Sequence, residues 1–418
     1  MSAPPTLATE TVTIAALGHE GDGIAEAPGG RVYVPFTLPG ETVSVERTGG
    51  ERGHALEILA PSADRVAPPC RHFGTCGGCA LQHMATRPYL DWKREQVRHA
   101  FAQRGIDASV EPTFAAGAHA RRRAVFTALG IPGGAMLGFN VRASNQLFDA
   151  LECPVLVPSI ESRLDALRKL AGIVFQPGQR GRLTVLAADN GLDIAVARER
   201  RKPPDRPTLQ KLASFGAASW IARISLDGEA VVQNLRPTLS AGGVNLYPAP
   251  GGFTQASAAA EETMAASVLA GTERGAPVAD LFSGIGTFTV RLARNAPVTA
   301  VEGDAAAVAA LTDATRYATG LKAITASRRD LFQSPLAPFE LKKFGTVVFD
   351  PPRAGASKQA ESLAQSTVPR VVAVSCNPAT LARDARILID GGYRLTRVLP
   401  IDQFTWSAEI EAVATFER

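Results

Sequence analysis

DLFSGIGTFTVRLA, residues 280–293, decides the fold of this 418-residue chain. It reads as the end of a strand, a glycine turn and the start of a helix. Gly284 and Gly286 would let a ligand approach the backbone closely. Around this stretch, apolar runs alternate with helical ones. The strand candidates are PVADLF, PVTAVEG, KAITAS, GTVVFD, RVVAVS, YRLTRVLP and EAVATFE. Helical links between most of them imply a parallel, doubly wound sheet. The last two are joined by a short loop and should pair antiparallel. Residues 246–418 are therefore predicted to form an α/β, Rossmann-like unit with a seven-stranded, mostly parallel sheet.

Ligands of such sheets bind beyond the carboxyl ends of the strands. A dinucleotide fingerprint wants Gly or Ala three residues after the second glycine, and Thr289 stands there instead. Glu302 ends the next strand about 20 residues on, where an acid can hold the ribose hydroxyls of an adenosine cofactor. S-adenosylmethionine and NAD both remain open on this loop. Asp330, in ASRRDLF, could accept from an adenine amine or cap a helix. Asp350 in VVFDPPRAGA, and Ser375 and Cys376 in VVAVSCNP, end the fourth and fifth strands at the same edge. The seventh strand runs the other way, so its start, SAEIEAV, shares that edge with Glu409 and Glu411.

A lone thiol after a buried strand is usually an inert small hydrophobe. The company of Cys376 gives it another use. No histidine follows His119, which weakens any imidazole-dependent hydrolase reading. A pyrimidine C5 is a poor nucleophile, but a thiolate adding at C6 makes C5 enolate-like and reactive towards an alkyl sulfonium. A carboxylate then serves as the base that removes the C5 proton.

The N-terminal half reads differently. TVTIAAL, RVYVPFTL, TVSVERT and HALEILA are short strands between glycine-rich turns. They suggest a small OB-type barrel over 1–62, a fold that often binds oligonucleotides. PSADRVAPPC looks like a linker. CRHFGTCGGCALQH follows, and then a helix is expected from Thr86, as cap, to Gly105, with Tyr89, Trp92, Val97 and Phe101 inward. RLTVLAA, LDIAVARE and SWIARISL place an α+β unit over 63–245. Arg121, Arg122 and Arg123 could contact phosphates or form a solvated face.

The net charge of +4 only mildly favours nucleic acid. No uninterrupted apolar run of about 18 residues exists, so no membrane span is expected. The first residues lack the pattern of a secretory signal, and a cytoplasmic location is expected. Of five cysteines, Cys70, Cys76, Cys79 and Cys153 lie in the first half. Clustered thiols in such a chain suggest metal or cluster binding rather than disulfides.

With DPPRAGA, SCNPATLARD and the cysteine pattern in place, the chain resembles the iron–sulfur RNA uridine-C5 methyltransferases over nearly its whole length. The resemblance is nearest to bacterial enzymes acting on 23S rRNA, with tRNA as the alternative substrate. It implies a TRAM (OB-type) barrel, a cluster-bearing central domain and a methyltransferase domain. It implies Cys376 as nucleophile and Glu411 as proton acceptor. It further implies S-adenosylmethionine contacts at Gln255, Phe282, Thr287, Glu302, Asp330 and Asp350. Cys70, Cys76, Cys79 and Cys153 match the family's cluster ligands, and their spacing suits a [4Fe–4S] cluster. Zinc is the alternative. The protein is expected to act as a monomer.

Three departures stand out. Ser257 replaces a common Asn and could alter a contact to the target base. Ser283 replaces a frequent Cys. Trp406 and Glu409 lie where the family carries other residues, and Trp406 could stack on an RNA base or simply pack. A cluster-bearing assembly factor without turnover and a NAD-linked redox enzyme are the rival readings.

Overall fold

In the computed structural model, which describes residues 9–199 and 203–418, the glycine stretch forms the predicted strand and turn. The sheet consists of β1 (Val278–Leu281), β2 (Val298–Glu302), β3 (Ile324–Arg328), β4 (Thr346–Phe349), β5 (Arg370–Ser375), β6 (Arg394–Asp402) and β7 (Glu411–Glu417). β1 and β4 are buried along their whole length, as strands covered on both faces must be. The order is β3-β2-β1-β4-β5-β7-β6. β3 through β5 run parallel, and β7 lies antiparallel between β5 and β6. The expected seven strands form, and an eighth joins them. Phe114–Ala115 pairs in parallel with Ile401 and Asp402 at the β6 edge. A two-residue strand has no period to read, so the sequence does not announce it.

Apolar layers cover both faces of this sheet. One holds Met264, Val268, Leu292, Val348 and Val374. The other holds Leu281, Phe349, Val371, Leu388 and Phe416, and it includes Val97, Phe101, Ile106 and Val110 from far earlier in the chain. Each such side chain contributes about 1.5–3 kcal/mol of burial. Val97 and Phe101 come from the helix Thr86–Ala102. Its buried stripe is Tyr89, Lys93, Val97 and Phe101, one residue every four. Lys93 takes the place expected for Trp92. The cap also differs: Ala85 is the N-cap without a side-chain bond, and Thr86 opens the helix.

The first 60 residues hold six strands in the order Thr9–Thr13, Thr42–Gly49, Arg52–Ala60, Gly30–Val34, Gly23–Ala27, Ala16–Leu17. Val12, Ile14, Val32, Val34, Val43 and Val45 form their shared apolar cluster. A separate seven-stranded sheet occupies the middle of the chain, from Arg123–Ile131 to Glu229–Gln233. All its neighbouring strands are antiparallel except Gly191–Arg198 with Ile221–Leu226. No described helix is long and apolar enough to cross a membrane.

Candidate active site

Cys376 follows the last residue of β5, and the next two residues explain the Asn-Pro that trails it. Asn377 caps the helix Pro378–Asp390, its Oδ1 accepting from the amides of Ala379 and Thr380 at 3.0 and 3.4 Å. Pro378 occupies the first turn, where its missing N–H costs nothing. The thiol thus stands just before a helix N-terminus, a position that favours a thiolate. Asn377 also donates to the Arg353 carbonyl at 3.3 Å, and Thr380 Oγ1 donates to it at 3.2 Å. These bonds fix the DPPR loop after β4 against the start of this helix.

The thiol is half-buried. Burial pushes it up to about 11, and the neighbouring Glu411 and Asp350 charges push the same way. The Arg353 guanidinium opposes them. At rest the group is therefore a thiol.

Glu411 opens β7 and is buried. Its carboxyl is raised above the usual range by burial, and so is that of Asp350 at the end of β4, where the Glu411 charge adds to the effect. Two amide side chains join the acids. Gln403 Nε2 donates to Glu411 Oε1 at 2.9 Å and to Gln255 Oε1 at 3.0 Å. Gln255 Nε2 donates to Asp350 Oδ2 at 3.3 Å. Gln403 Oε1 accepts the Ala256 amide at 3.0 Å, which fixes its orientation. Sequence reasoning missed Gln403. Its signal was its place, one residue past β6 in the loop leading to Glu411.

The glycine loop supplies a second group of residues. Phe282 takes φ 58°, in the left-handed region, strained for a residue with a side chain. Its ring lies 5.3 Å from that of Phe332, which the sequence reading also missed. Glu302 accepts the Gly284 amide at 2.9 Å on one oxygen and the Asp304 amide at 2.8 Å on the other. Asp330 is exposed, and its Oδ1 accepts from the amides of Phe332 and Gln333, so it closes a turn, and no helix starts there for it to cap. Thr287 is half-buried beside them and its carbonyl takes a bond from Arg291. Thr289 explains the departure from the dinucleotide pattern. It is fully buried and donates to Asp280 Oδ2 at 2.5 Å. Burial pushes Asp280 up to about 7, and its other oxygen has no partner.

Cys70, Cys76, Cys79 and Cys153 line one cavity of 230 Å³ together with Arg121, Thr405 and Ser407. Burial pushes Cys79 up to about 12 and Cys153 to about 11. Among the described residues no three His, Cys, Asp or Glu side chains converge on one ion position.

Of the arginine triplet only Arg122 is buried, while Arg121 and Arg123 are half-buried. Arg122 is buried and pairs with Glu261 at 2.5 Å, while it donates to the Gln255 carbonyl at 3.1 Å. Arg123 reaches the carbonyls of Gly251 and Gly252. Arg121 lies over the Phe404 ring. Of the three, Arg122 touches a residue of the amide bridge, Gln255. Ser257, too, is buried and caps the helix Ala258–Ala270. Glu409 pairs with Arg353. Trp406 is half-buried at φ 63°, and its backbone is held from both sides: its N–H by Tyr89 Oη, its carbonyl by the amides of Ala80 and Leu81.

A cofactor-binding α/β sheet carrying a thiol and a buried acid at one edge defines a class, the group-transfer enzymes of Rossmann-like fold. Comparison with known proteins narrows it. A family profile described as tRNA (Uracil-5-)-methyltransferase matches residues 216–418. An uncharacterized RNA methyltransferase of Brucella suis biovar 1 is 48% identical over 98% of both chains. The 23S rRNA (uracil(1939)-C(5))-methyltransferase RlmD of Halomonas elongata is 35% identical, over 97% of this chain and 89% of its own. In fold, the chain is similar to the Pyrococcus abyssi tRNA (uracil-54, C5)-methyltransferase crystallised with S-adenosyl-L-homocysteine. Their TM-score is 0.76 at 21% identity, with 97% of this chain and 100% of that one covered. The chain belongs to the RNA (uracil-C5)-methyltransferase family, and it is an enzyme.

Proposed function

We propose that this enzyme methylates C5 of a uridine in 23S rRNA, through a covalent bond between Cys376 and C6 of the base. The amide bridge from Asp350 through Gln255 and Gln403 to Glu411 carries this reading, because it ties the cofactor edge to a buried base beside the thiol.

S-adenosylmethionine, when bound, supplies an electrophilic methyl group. Gln255, Phe282, Thr287, Glu302, Asp330 and Asp350 would hold it, with Phe332 beside Phe282. The target base is flipped out of the RNA to reach the thiol. Cys376 gives its proton to solvent and its sulfur bonds to C6, breaking the C5–C6 π bond and driving its electron pair onto C5 and O4. Arg353 and the helix N-terminus favour the thiolate at that moment. C5 takes the methyl group as that group's bond to the sulfonium sulfur breaks, leaving a neutral thioether. Glu411 then accepts the C5 proton, the C5–C6 double bond reforms, and the S–C6 bond breaks. The raised affinity of Glu411 for protons suits this task.

Residues 1–62 and 63–245 would grip the RNA, the first as a TRAM (OB-type) barrel, while 246–418 carry out the chemistry. Cys70, Cys76, Cys79 and Cys153 would hold a [4Fe–4S] cluster. Zinc bonds of about 2.3 Å would draw four sulfurs to within about 3.8 Å of one another. Thiols spread around a cavity suit a larger group better. The cluster would cross-link the polypeptide and take no part in electron transfer.

The choice of 23S rRNA over tRNA rests on the higher identity to the rRNA enzyme. Nucleoside mapping of rRNA and tRNA from cells with and without the protein tests it. A 5-methyluridine lost from tRNA alone would overturn the substrate. For the mechanism, Glu411→Gln is expected to accumulate a Cys376–RNA adduct on a denaturing gel, and Cys376→Ala to form none. An adduct that still forms with Cys376→Ala would refute the assignment of the nucleophile.

A further inference from the structure

A lysine with no access to solvent is rare unless it is paired. Lys93 is fully buried, midway along the apolar stripe of the helix Thr86–Ala102. Its ammonium bonds Asp402 Oδ1 at 3.0 Å and also donates to the carbonyl of Glu409. Asp402 ends β6, and Glu409 lies two residues before Glu411. One cation therefore holds both ends of the loop 403–410. That loop carries Gln403 at its start and delivers Glu411 at its finish, and these two side chains are bonded to each other. Tyr89, one turn earlier on the helix, extends the clip. Its hydroxyl donates to Asp402 Oδ2 at 2.8 Å and accepts from the Trp406 amide at 2.8 Å in the middle of the loop.

The arrangement is more than a stable ion pair. Buried ion pairs are often no better for stability than apolar packing, so stability alone gives little reason to keep one. Here the pair sits where a displacement would move the base.

We propose that Lys93 is a positioning residue for Glu411: it clips Asp402 to the Glu409 carbonyl, so that the loop between them sets Gln403 and Glu411 in contact. The proposal rests on the reading of Glu411 as the base that resolves the covalent adduct.

The test is single-turnover kinetics of the full-length enzyme with unmodified 23S rRNA transcript, and unmodified tRNA transcripts as a second arm. Adduct formation and adduct breakdown are timed separately. Lys93→Met should form the adduct at near the wild-type rate and break it down about 100-fold more slowly, the effect of a catalytic group misplaced by about 1 Å. Removing one partner of a buried pair also threatens folding. The double variant Lys93→Met/Asp402→Asn removes that threat, because no unpaired charge is left. It is expected to melt above Lys93→Met while breakdown stays slow, since the Glu409 carbonyl still lacks its donor. A double variant that recovers both stability and breakdown rate would show Lys93 to be structural only and overturn the proposal. Glu411→Gln, run alongside, separates the two readings. If it fails to accumulate adduct, the base assignment falls with the proposal. If it accumulates adduct and the lysine variants do not, only the positioning role falls.

Discussion

At the scale of single residues, the site pairs a weakly acidic thiol with an acid that holds its proton unusually high. Glu411 must be ionised to act as a base, and burial raises it to about 7. Breakdown of the adduct is therefore expected to speed up between about pH 6 and about pH 8, as measured by stopped single turnovers. Gln403 donates to that carboxylate, so Gln403→Leu removes a hydrogen bond from the charged form. The last step should slow by about tenfold, the size of one charge-assisted bond. A rate unchanged within error would exclude the bridge. Asp280 offers a test on stability. A buried acid whose proton affinity is raised costs nothing while the group is neutral, and the cost grows as pH climbs through the raised range. Asp280→Asn should accordingly melt higher than wild type at about pH 8, with the advantage shrinking towards about pH 5. Strand ends of an open sheet share an edge, which brought Cys376, Asp350 and the pair Glu409 and Glu411 together in the sequence reading; only the family resemblance separated Glu411 from Glu409. The sequence hid Gln403 and Lys93, because an amide in a loop and a lysine on a helix read as solvated by default.

At the scale of elements, the Asn377–Pro378 cap joins two motifs that the sequence keeps apart. Asn377→Ala should cost about 1 kcal/mol, the usual value of a lost cap. It also removes one of the two donors to the Arg353 carbonyl, leaving only Thr380, so the loss of stability should come with weaker adduct formation. Urea unfolding and adduct timing check the two effects separately; a stability loss with unaltered adduct formation would mean that the cap holds only the helix. The strands of the sheet were readable as apolar runs, since burial on both faces removes any need for alternation. The strand Gly23–Ala27 was not, because its GIAEA carries too few apolar residues to mark it. The helix Thr86–Ala102 shows how a period can mislead. Trp92 is the more apolar residue, yet the spacing of four places Lys93 in the buried stripe.

At the scale of the whole molecule, the cysteine cavity and the catalytic loop are neighbours. Thr405 and Ser407 line the cavity, and the amides of Ala80 and Leu81, just after Cys79, bond the Trp406 carbonyl. With the proposed cluster at these cysteines, Cys79→Ala is expected to lower iron and sulfide content and also to speed hydrogen exchange at the Ala80 and Leu81 amides. Slow exchange at those amides in a cluster-free variant would show the two regions to be independent. The sequence separates these regions by more than half the chain, so no local pattern could bring them together. The same distance governs the helix Thr86–Ala102, which packs on Pro378–Asp390 and β6, and the strand Phe114–Ala115, which pairs with β6. During synthesis, then, Val97 and Phe101 leave the ribosome well before those partners exist, and this apolar face waits for them.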